Sequence, residues 1–350
     1  MRLEPVANPT LARSLGFPAG ALALTVVIAS GLALLAGANP FETLGLILKG
    51  AAGSKFALLE TLNRATPLIF TGLAVAVAFR AKLWNIGAEA QFYAGALVAV
   101  LLGTGALGFL PWYLLIPLMA LAAMLAGALL LLGPVMLKVR LGVDEVVTTL
   151  LLNFIMLLFV SMLLEGPLKD PMGMGWPKSE PLDPAARLPR LVDGLRLHWG
   201  FGVALISAAV IWVIQARTTL GYEIRAVGLN PQAARFAGIP VGAVLVKTAL
   251  LSGGLAALAG WSEVAGLKGN LTLDISPGFG YTGIIVAMLA LLHPGAVVIS
   301  AIFVAGIFVG ADSMSRAAAV PTYIADILLA TALLLMVLAI LLTRFRVVRG

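Results

Sequence analysis

Apolar residues run along this chain in continuous blocks, separated by short polar or Gly- and Pro-containing joints. Ten blocks stand out, at 18–37, 58–80, 83–103, 111–137, 145–165, 198–215, 241–265, 279–292, 294–311 and 322–343. Most approach the roughly 20 residues that a helix needs to cross a bilayer. They are continuous rather than alternating, so they predict helices and not strands of a barrel. The pattern therefore predicts an all-α, polytopic membrane protein of about ten transmembrane helices, with residues 1–350 as one transmembrane domain. Ala36-Gly37-Ala38 after the first block resembles a signal-peptide cleavage site. The sparse basic flank ahead of that block predicts an uncleaved first helix instead.

Composition agrees with the pattern: 61% of residues are hydrophobic, 11% are charged, and the mean hydropathy is +1.05. No cysteine is present, which excludes disulfides, thiolate catalysis and Cys-ligated zinc. The two histidines, His198 and His293, lie far apart in sequence, so no metal site is expected. The net charge of +7 does not point to nucleic acid, because the basic residues sit at the ends of apolar blocks. With the N-terminus placed inside, thirteen of the 23 Lys and Arg residues fall on the inner side, and five of the other ten lie in the 166–197 loop. Both termini are accordingly expected in the cytoplasm. The long outer loop, GPLKDPMGMGWPKSEPLDP and its continuation, reads either as a cap or partner surface or as a plain connector.

Polar residues inside the apolar blocks are the candidate chemistry. LWNIGAEAQF, residues 83–92, brings Asn85, Glu89 and Gln91 between two apolar flanks. Spacing of four predicts that Asn85 and Glu89 share a helix face, with Glu89 about 10 Å along a helix starting near Lys82. Ionisable groups at such depth face a cavity or a partner. Two readings stay open for Glu89: lining or gating a path, and holding backbone groups of a broken neighbouring helix. A second stripe, GVDEVVTTLLLNF, places Glu145, Thr148, Thr149 and Asn153 at helical spacing. Asp144 and Glu145 also suit a helix N-terminus. Residues 71–100 and 282–311 match at nine of thirty positions, including Thr71/Thr282 and Gly72/Gly283. These read as two parallel pseudo-repeats, a transporter pattern. The second copy, AVVISAIF, lacks the Asn, Glu and Gln of the first, so that polarity is not needed to build the hairpin. Thr282 joins the candidate path residues Asn85, Glu89, Gln91, Thr148, Thr149 and Asn153.

RTTLGYEIRAVGLNPQAARFAGIPVG, residues 217–242, is too polar to cross a membrane. Asn230-Pro231 predicts an N-cap with proline at the first helical position, and Gly238 with Pro240 predicts the stop. The result is a short, stiff helix on the inner face.

NIGAEAQF, GVDEVVTTLLLN, TLGYEIRAVGLNPQAARFAGI and GFGYTGIIVAML resemble the permease subunits of bacterial ABC importers for nucleosides and simple sugars, within the branched-chain amino acid and ribose permease superfamily. The resemblance is strongest to the longer of two unlike permeases in the nucleoside, lipoprotein-dependent branch, and covers nearly the whole chain after residue 60. Trp84 and Ala90 depart from that pattern, where Phe and Gly are common. The resemblance implies that residues 217–240 form the coupling helix, seated in a groove of an ATPase subunit. The matching residues are Leu220, Gly221, Tyr222, Arg225, Ala226, Gly228, Asn230, Ala234, Ala237, Gly238 and Ile239. It implies a multi-pass protein of the bacterial inner membrane with four kinds of partner: an ABC ATP-binding subunit that holds ATP and Mg, a second, unlike permease, an external substrate-binding lipoprotein, and membrane lipid. The chain lacks G-x-x-x-x-G-K-[ST], so it is not itself the ATPase and needs no cofactor of its own. The rivals are a simple-sugar permease, an ion-coupled transporter using Glu89, and a membrane enzyme, for which no catalytic cluster is visible. The amides and hydroxyls of the candidate path, with no Lys or Arg expected well inside a span, predict a neutral, hydroxyl-rich ligand. Trp84, Phe92 and Tyr93 are candidates to stack a base.

Overall fold

Helices account for nearly all regular structure. The computed structural model describes residues 2–5, 10–35, 37, 39–105, 107, 109–318, 327, 330–331, 334–335, 338–339, 341–343 and 345–348. In chain order the elements are β1 (Arg2–Pro5), α1 (Leu11–Leu35), α2 (Pro40–Ala52), α3 (Lys55–Arg80), α4 (Ala88–Gly103), α5 (Trp112–Leu141), α6 (Glu145–Glu165), α7 (Gly200–Arg217), α8 (Thr219–Leu229), α9 (Pro231–Phe236), α10 (Val241–Glu263), α11 (Phe279–Leu289), α12 (Pro294–Ala318) and β2 (Phe345–Val348). Among the described residues, α3, α5, α6, α7, α10 with its continuation to Lys268, and α12 are long and apolar enough to cross a membrane. The all-α membrane architecture holds, with one addition: β1 and β2 pair as a small antiparallel ribbon. Nine predicted spans fall on helices. Most of the tenth, 322–343, lies outside the described residues.

The chain divides into two units, residues 62–302 and residues 1–61 with 303–350. In the second, α2 was not foreseen. It is amphipathic and short, and Asn39 caps it by accepting from Phe41 N at 3.0 Å. Thr61 Oγ1 donates to the Ala51 carbonyl at 2.8 Å, tying α3 to the end of α2.

In the larger unit α10 is the axis. Every residue from Ser252 to Glu263 is buried, in a stretch reading SGGLAALAGWSE. A methyl group on Gly95 of α4 would overlap the Ala257 backbone, and Gly127 of α5 meets Gly253 backbone to backbone. Lipid supplies no hydrophobic force between helices, so small residues that let backbones touch are what packs them.

The pseudo-repeat has a structural counterpart. α3 and α11 both end in a left-handed residue that is not glycine, Lys82 (φ 53°) and Leu291 (φ 50°). Each turn closes with a six-to-one hydrogen bond, Leu83 N to the Ala78 carbonyl at 3.0 Å and Leu292 N to the Ala287 carbonyl at 2.9 Å. The two helices pack through the repeated Thr-Gly pair, with Gly283 against Thr71 and Gly72 against Val286.

Loop 166–197 folds as a cap on the ends of α4 and of the α10 continuation, held there by backbone hydrogen bonds. Ser179 N donates to the Leu271 carbonyl at 2.9 Å, Leu182 N to Gly269 at 2.7 Å, Asp183 N to Gly103 at 2.9 Å and Leu188 N to Ala265 at 2.8 Å. At its end the buried His198 ring packs on the backbone of Gly200 and Gly266. Its Nδ1 accepts from Gly200 N at 3.1 Å. The predicted span 198–215 begins two residues later, at Gly200.

Candidate functional site

Residues 81–87 are not helical, which corrects the expected face. α4 begins at Ala88, so Asn85 lies in an unwound joint and Glu89 stands in the first turn. Backbone groups that leave a helix inside the protein must find other partners. The second polar stripe supplies them. Glu145 accepts from Trp84 N at 3.2 Å, and Thr149 Oγ1 accepts from Ile86 N at 3.2 Å. Asn153 accepts from Ala90 N at 2.9 Å and donates to the Ile86 carbonyl at 2.9 Å. The three α6 residues thus read the joint one after another, a helical turn apart. Lys138 at the end of α5 pairs with Glu145.

Asn85 and Gln91 exchange amide hydrogen bonds, each at 2.9 Å. Asn85 also donates to Ser252 Oγ at 3.0 Å, and Ser252 donates to the Ala74 carbonyl at 2.8 Å. This chain of bonds pins the joint to α10 and α3. Asn85, Gln91, Thr149 and Ser252 are fully buried.

Glu89 faces a second helix start. Its Oε2 accepts from Gly280 N, in the first turn of α11, at 2.6 Å. The starts of α4 and α11 meet here, so closely that a Cβ on Gly280 would lie 2.6 Å from the Glu89 Cα. The positive ends of two helix dipoles therefore converge on one carboxylate. Ser276 Oγ accepts from Phe279 N at 2.9 Å and completes the cap of α11.

Of the predicted path residues, the fold gathers Asn85, Glu89, Gln91, Thr149 and Asn153 around this joint. Thr148 bonds back to its own helix, at the carbonyls of Asp144 (3.1 Å) and Glu145 (3.2 Å). Thr282 is buried in α11. Three residues join the site that sequence reasoning missed. Ser252 and Tyr281, whose hydroxyl accepts from Asn153 Nδ2 at 3.1 Å, carry no local signal. Arg64 had one: a guanidinium inside the block at 58–80. It lies 5.3 Å from the ring centre of Phe279, so a cation does lie inside a span, against expectation. Phe92 and Tyr93 are buried, whereas Trp84 and Tyr281 are 43% and 40% exposed and alone of these aromatics present surface.

On the 217–242 segment, Asn230 Oδ1 accepts from Gln232 N (3.0 Å) and Ala233 N (3.1 Å). Gly238 is left-handed at φ 82°, and Ile239 N closes on the Ala234 carbonyl at 3.0 Å. The cap and stop read from sequence are both present. An additional helix, α8, precedes α9, capped by Thr218. Of the residues matched there, Gly221, Gly228 and Ala234 are buried, while Tyr222, Asn230, Ala237 and Gly238 are exposed and Leu220, Arg225, Ala226 and Ile239 are half-buried. Gly228 packs on the Arg80 carbonyl, and Arg225 and Arg80 both donate to Gln215. Leu229 and Phe236, which the motif did not single out, are 81% and 95% exposed.

A helical protein with six membrane-length apolar helices among its described residues, an unwound joint pinned by buried polar side chains, and a capped knob of short helices between two such helices is a transport permease by class. The chain belongs to the family described as branched-chain amino acid transport system / permease component, whose model matches residues 57–340. It is 36% identical to the glucose ABC transporter permease protein TsgB13 of Haloferax volcanii, across 94% of this chain and 89% of that one. It is 35% identical to the guanosine ABC transporter permease protein NupP of Bacillus subtilis, across 95% and 93% of the two chains. The nucleoside ABC transporter permease protein NupB of Lactococcus lactis is 31% identical over 90% of this chain and 86% of its own. No solved structure matches. The chain is thus a permease subunit of an ABC transporter.

Proposed function

We propose that this chain is one of two unlike permease subunits of an ATP-driven nucleoside importer, and that a cytoplasmic ATPase docks on α8–α9. The observation that carries the reading is the knob itself. Tyr222, Leu229 and Phe236 project apolar side chains from helices whose caps are complete and whose other face is locked to α3 and α7. A connector between two spans needs only about two to eight residues. A partner groove explains both the rigidity and the exposure. ATP and Mg belong to that partner. An external binding lipoprotein delivers the ligand, and both termini face the cytoplasm.

Transmission follows from the packing. Gly228 rests on the Arg80 carbonyl, and Arg80 is five residues from Asn85. A displacement of α8 is delivered to the end of α3 and so to the unwound joint. The path runs by that joint, where two half-helix starts meet, as in other discontinuous-helix transporters. Asn85, Glu89, Gln91, Thr149 and Asn153 fix its wall, Thr148 and Thr282 flank it, and Trp84 and Tyr281 offer aromatic surface to a base. Nucleosides fit this mixture of rings, amides and hydroxyls. The guanidinium of Arg64 does not require an acidic ligand, because Glu60 lies one turn earlier on the same helix.

A simple sugar is the second reading, favoured by the glucose permease among the relatives. The test is uptake of labelled guanosine by cells carrying the whole system, with glucose and ribose as competitors. Guanosine uptake should disappear when this chain is deleted and should resist both sugars. Competition by glucose would move the substrate to the sugar class.

A further inference from the structure

Away from the joint, an apolar groove of about 670 Å³ opens between α5, α7 and α10. Trp112, Tyr113, Leu121, Trp199 and Trp261 are among its walls. α5 and α7 are both spanning helices with mostly unburied surfaces, so the groove opens toward hydrocarbon. Such a groove suits no hydroxyl-rich substrate. Tryptophan and tyrosine concentrate where headgroups meet acyl chains, which sets its depth near one interface.

A second, smaller pocket lies just beyond it, lined by Arg190, Arg196, Gly266, Leu267 and Lys268. The same two strands of chain build both. Leu188 and Pro189 line the groove and Arg190 lines the cationic pocket. Trp199 N donates to the Pro189 carbonyl at 3.0 Å, and Arg190 pairs with His198 across an antiparallel bridge. Along α10 and its continuation, Lys268 lies seven residues past Trp261, about 10 Å at 1.5 Å per residue. No carboxylate lines the cationic pocket.

We propose that this pair of pockets is a binding site for an anionic phospholipid in the leaflet beside loop 166–197, with an acyl chain in the tryptophan-walled groove and the phosphate between Arg190 and Lys268. The acyl chain is the solvent of that surface, and the cations select the headgroup. A neutral lipid fills the groove and offers Arg190 and Lys268 no net charge. A free phosphate or an acidic protein segment satisfies the cations and leaves the groove unfilled. The folded cap and the end of α10 are both built from the segments that would hold the lipid, so occupancy would also brace the cap.

The experiment is native mass spectrometry of the assembled transporter, delipidated and re-exposed to dioleoyl phosphatidylglycerol or dioleoyl phosphatidylcholine. The wild type should retain phosphatidylglycerol in preference. R190Q/K268Q should lower that preference by about 30-fold, since a cation near an anionic surface is worth about a factor of five. Its phosphatidylcholine retention should not change. R190K/K268R should keep the preference, which separates charge from folding. A120W, which fills the groove, should reduce retention of both lipids. Equal retention of the two lipids by the wild type would overturn the proposal, as would a preference that survives R190Q/K268Q. Displacement of phosphatidylglycerol by glycerol phosphate alone would reassign the pocket to a free anion. Loss of binding-lipoprotein association with unchanged lipid retention would reassign it to a protein contact.

Discussion

Asn153 uses one amide for three bonds, to Ala90 N, the Ile86 carbonyl and the Tyr281 hydroxyl. Replacing it by leucine keeps the volume and strands two buried backbone groups. An unsatisfied buried group costs about 1–3 kcal/mol, so Asn153→Leu should lose roughly 3 kcal/mol in thermal unfolding of the detergent-solubilised protein. Glu89 invites a graded pair. Glu89→Gln keeps an acceptor for Gly280 N and loses the charge at two helix starts, which is worth about 1 kcal/mol. Glu89→Ala loses both and should fall further by about as much again. Equal damage from the two variants would contradict the hydrogen-bond geometry. Asn85, Glu89, Gln91 and Asn153 were legible because amides and acids stand out in an apolar block. Their partners were not. Ser252 and Gly280 lie 167 and 191 residues from Asn85 and Glu89, and nothing local marks them.

At the scale of elements, apolar runs give the spans and caps give the short helices. α9 was readable to the residue because Asn230, Pro231, Gly238 and Pro240 each have one strong conformational preference. The joint at 81–87 was not, since an apolar block looks the same whether its backbone is helical or held open by another helix. Gly238→Val forces a β-branched residue to φ 82° and should cost about 1–2 kcal/mol at the end of a helix only six residues long. Membrane insertion should remain normal while ATPase association weakens, read by co-purification. His198 makes a pH prediction for the cap. It lies ahead of the α7 span, and burial pushes its imidazole down from 6.5 to about 4. Folding favours the neutral form, so this contribution is complete above pH 6.5 and is lost as pH falls toward 4. At pH 5 the loss should be about 2 kcal/mol relative to pH 7, and His198→Gln should flatten that part of the stability profile.

For the whole molecule, the distribution of Lys and Arg predicts sidedness. Thr219 lies on the proposed inner face and Met172 in loop 166–197, and both are exposed. With no native cysteine, Thr219→Cys and Met172→Cys should label from opposite sides of the membrane. Labelling of both from one side would contradict the topology. The account as a whole stands on energy coupling through α8–α9, and reconstitution tests that most directly. Proteoliposomes holding this permease, its sister subunit and the ATPase, supplied with the binding lipoprotein, are given labelled guanosine with and without ATP. Uptake should require ATP, survive an ionophore, and vanish for Phe236→Asp with the ATPase no longer retained. Uptake that proceeds without ATP and collapses with the ion gradient would contradict it and return Glu89 to the role of an ion-coupling site.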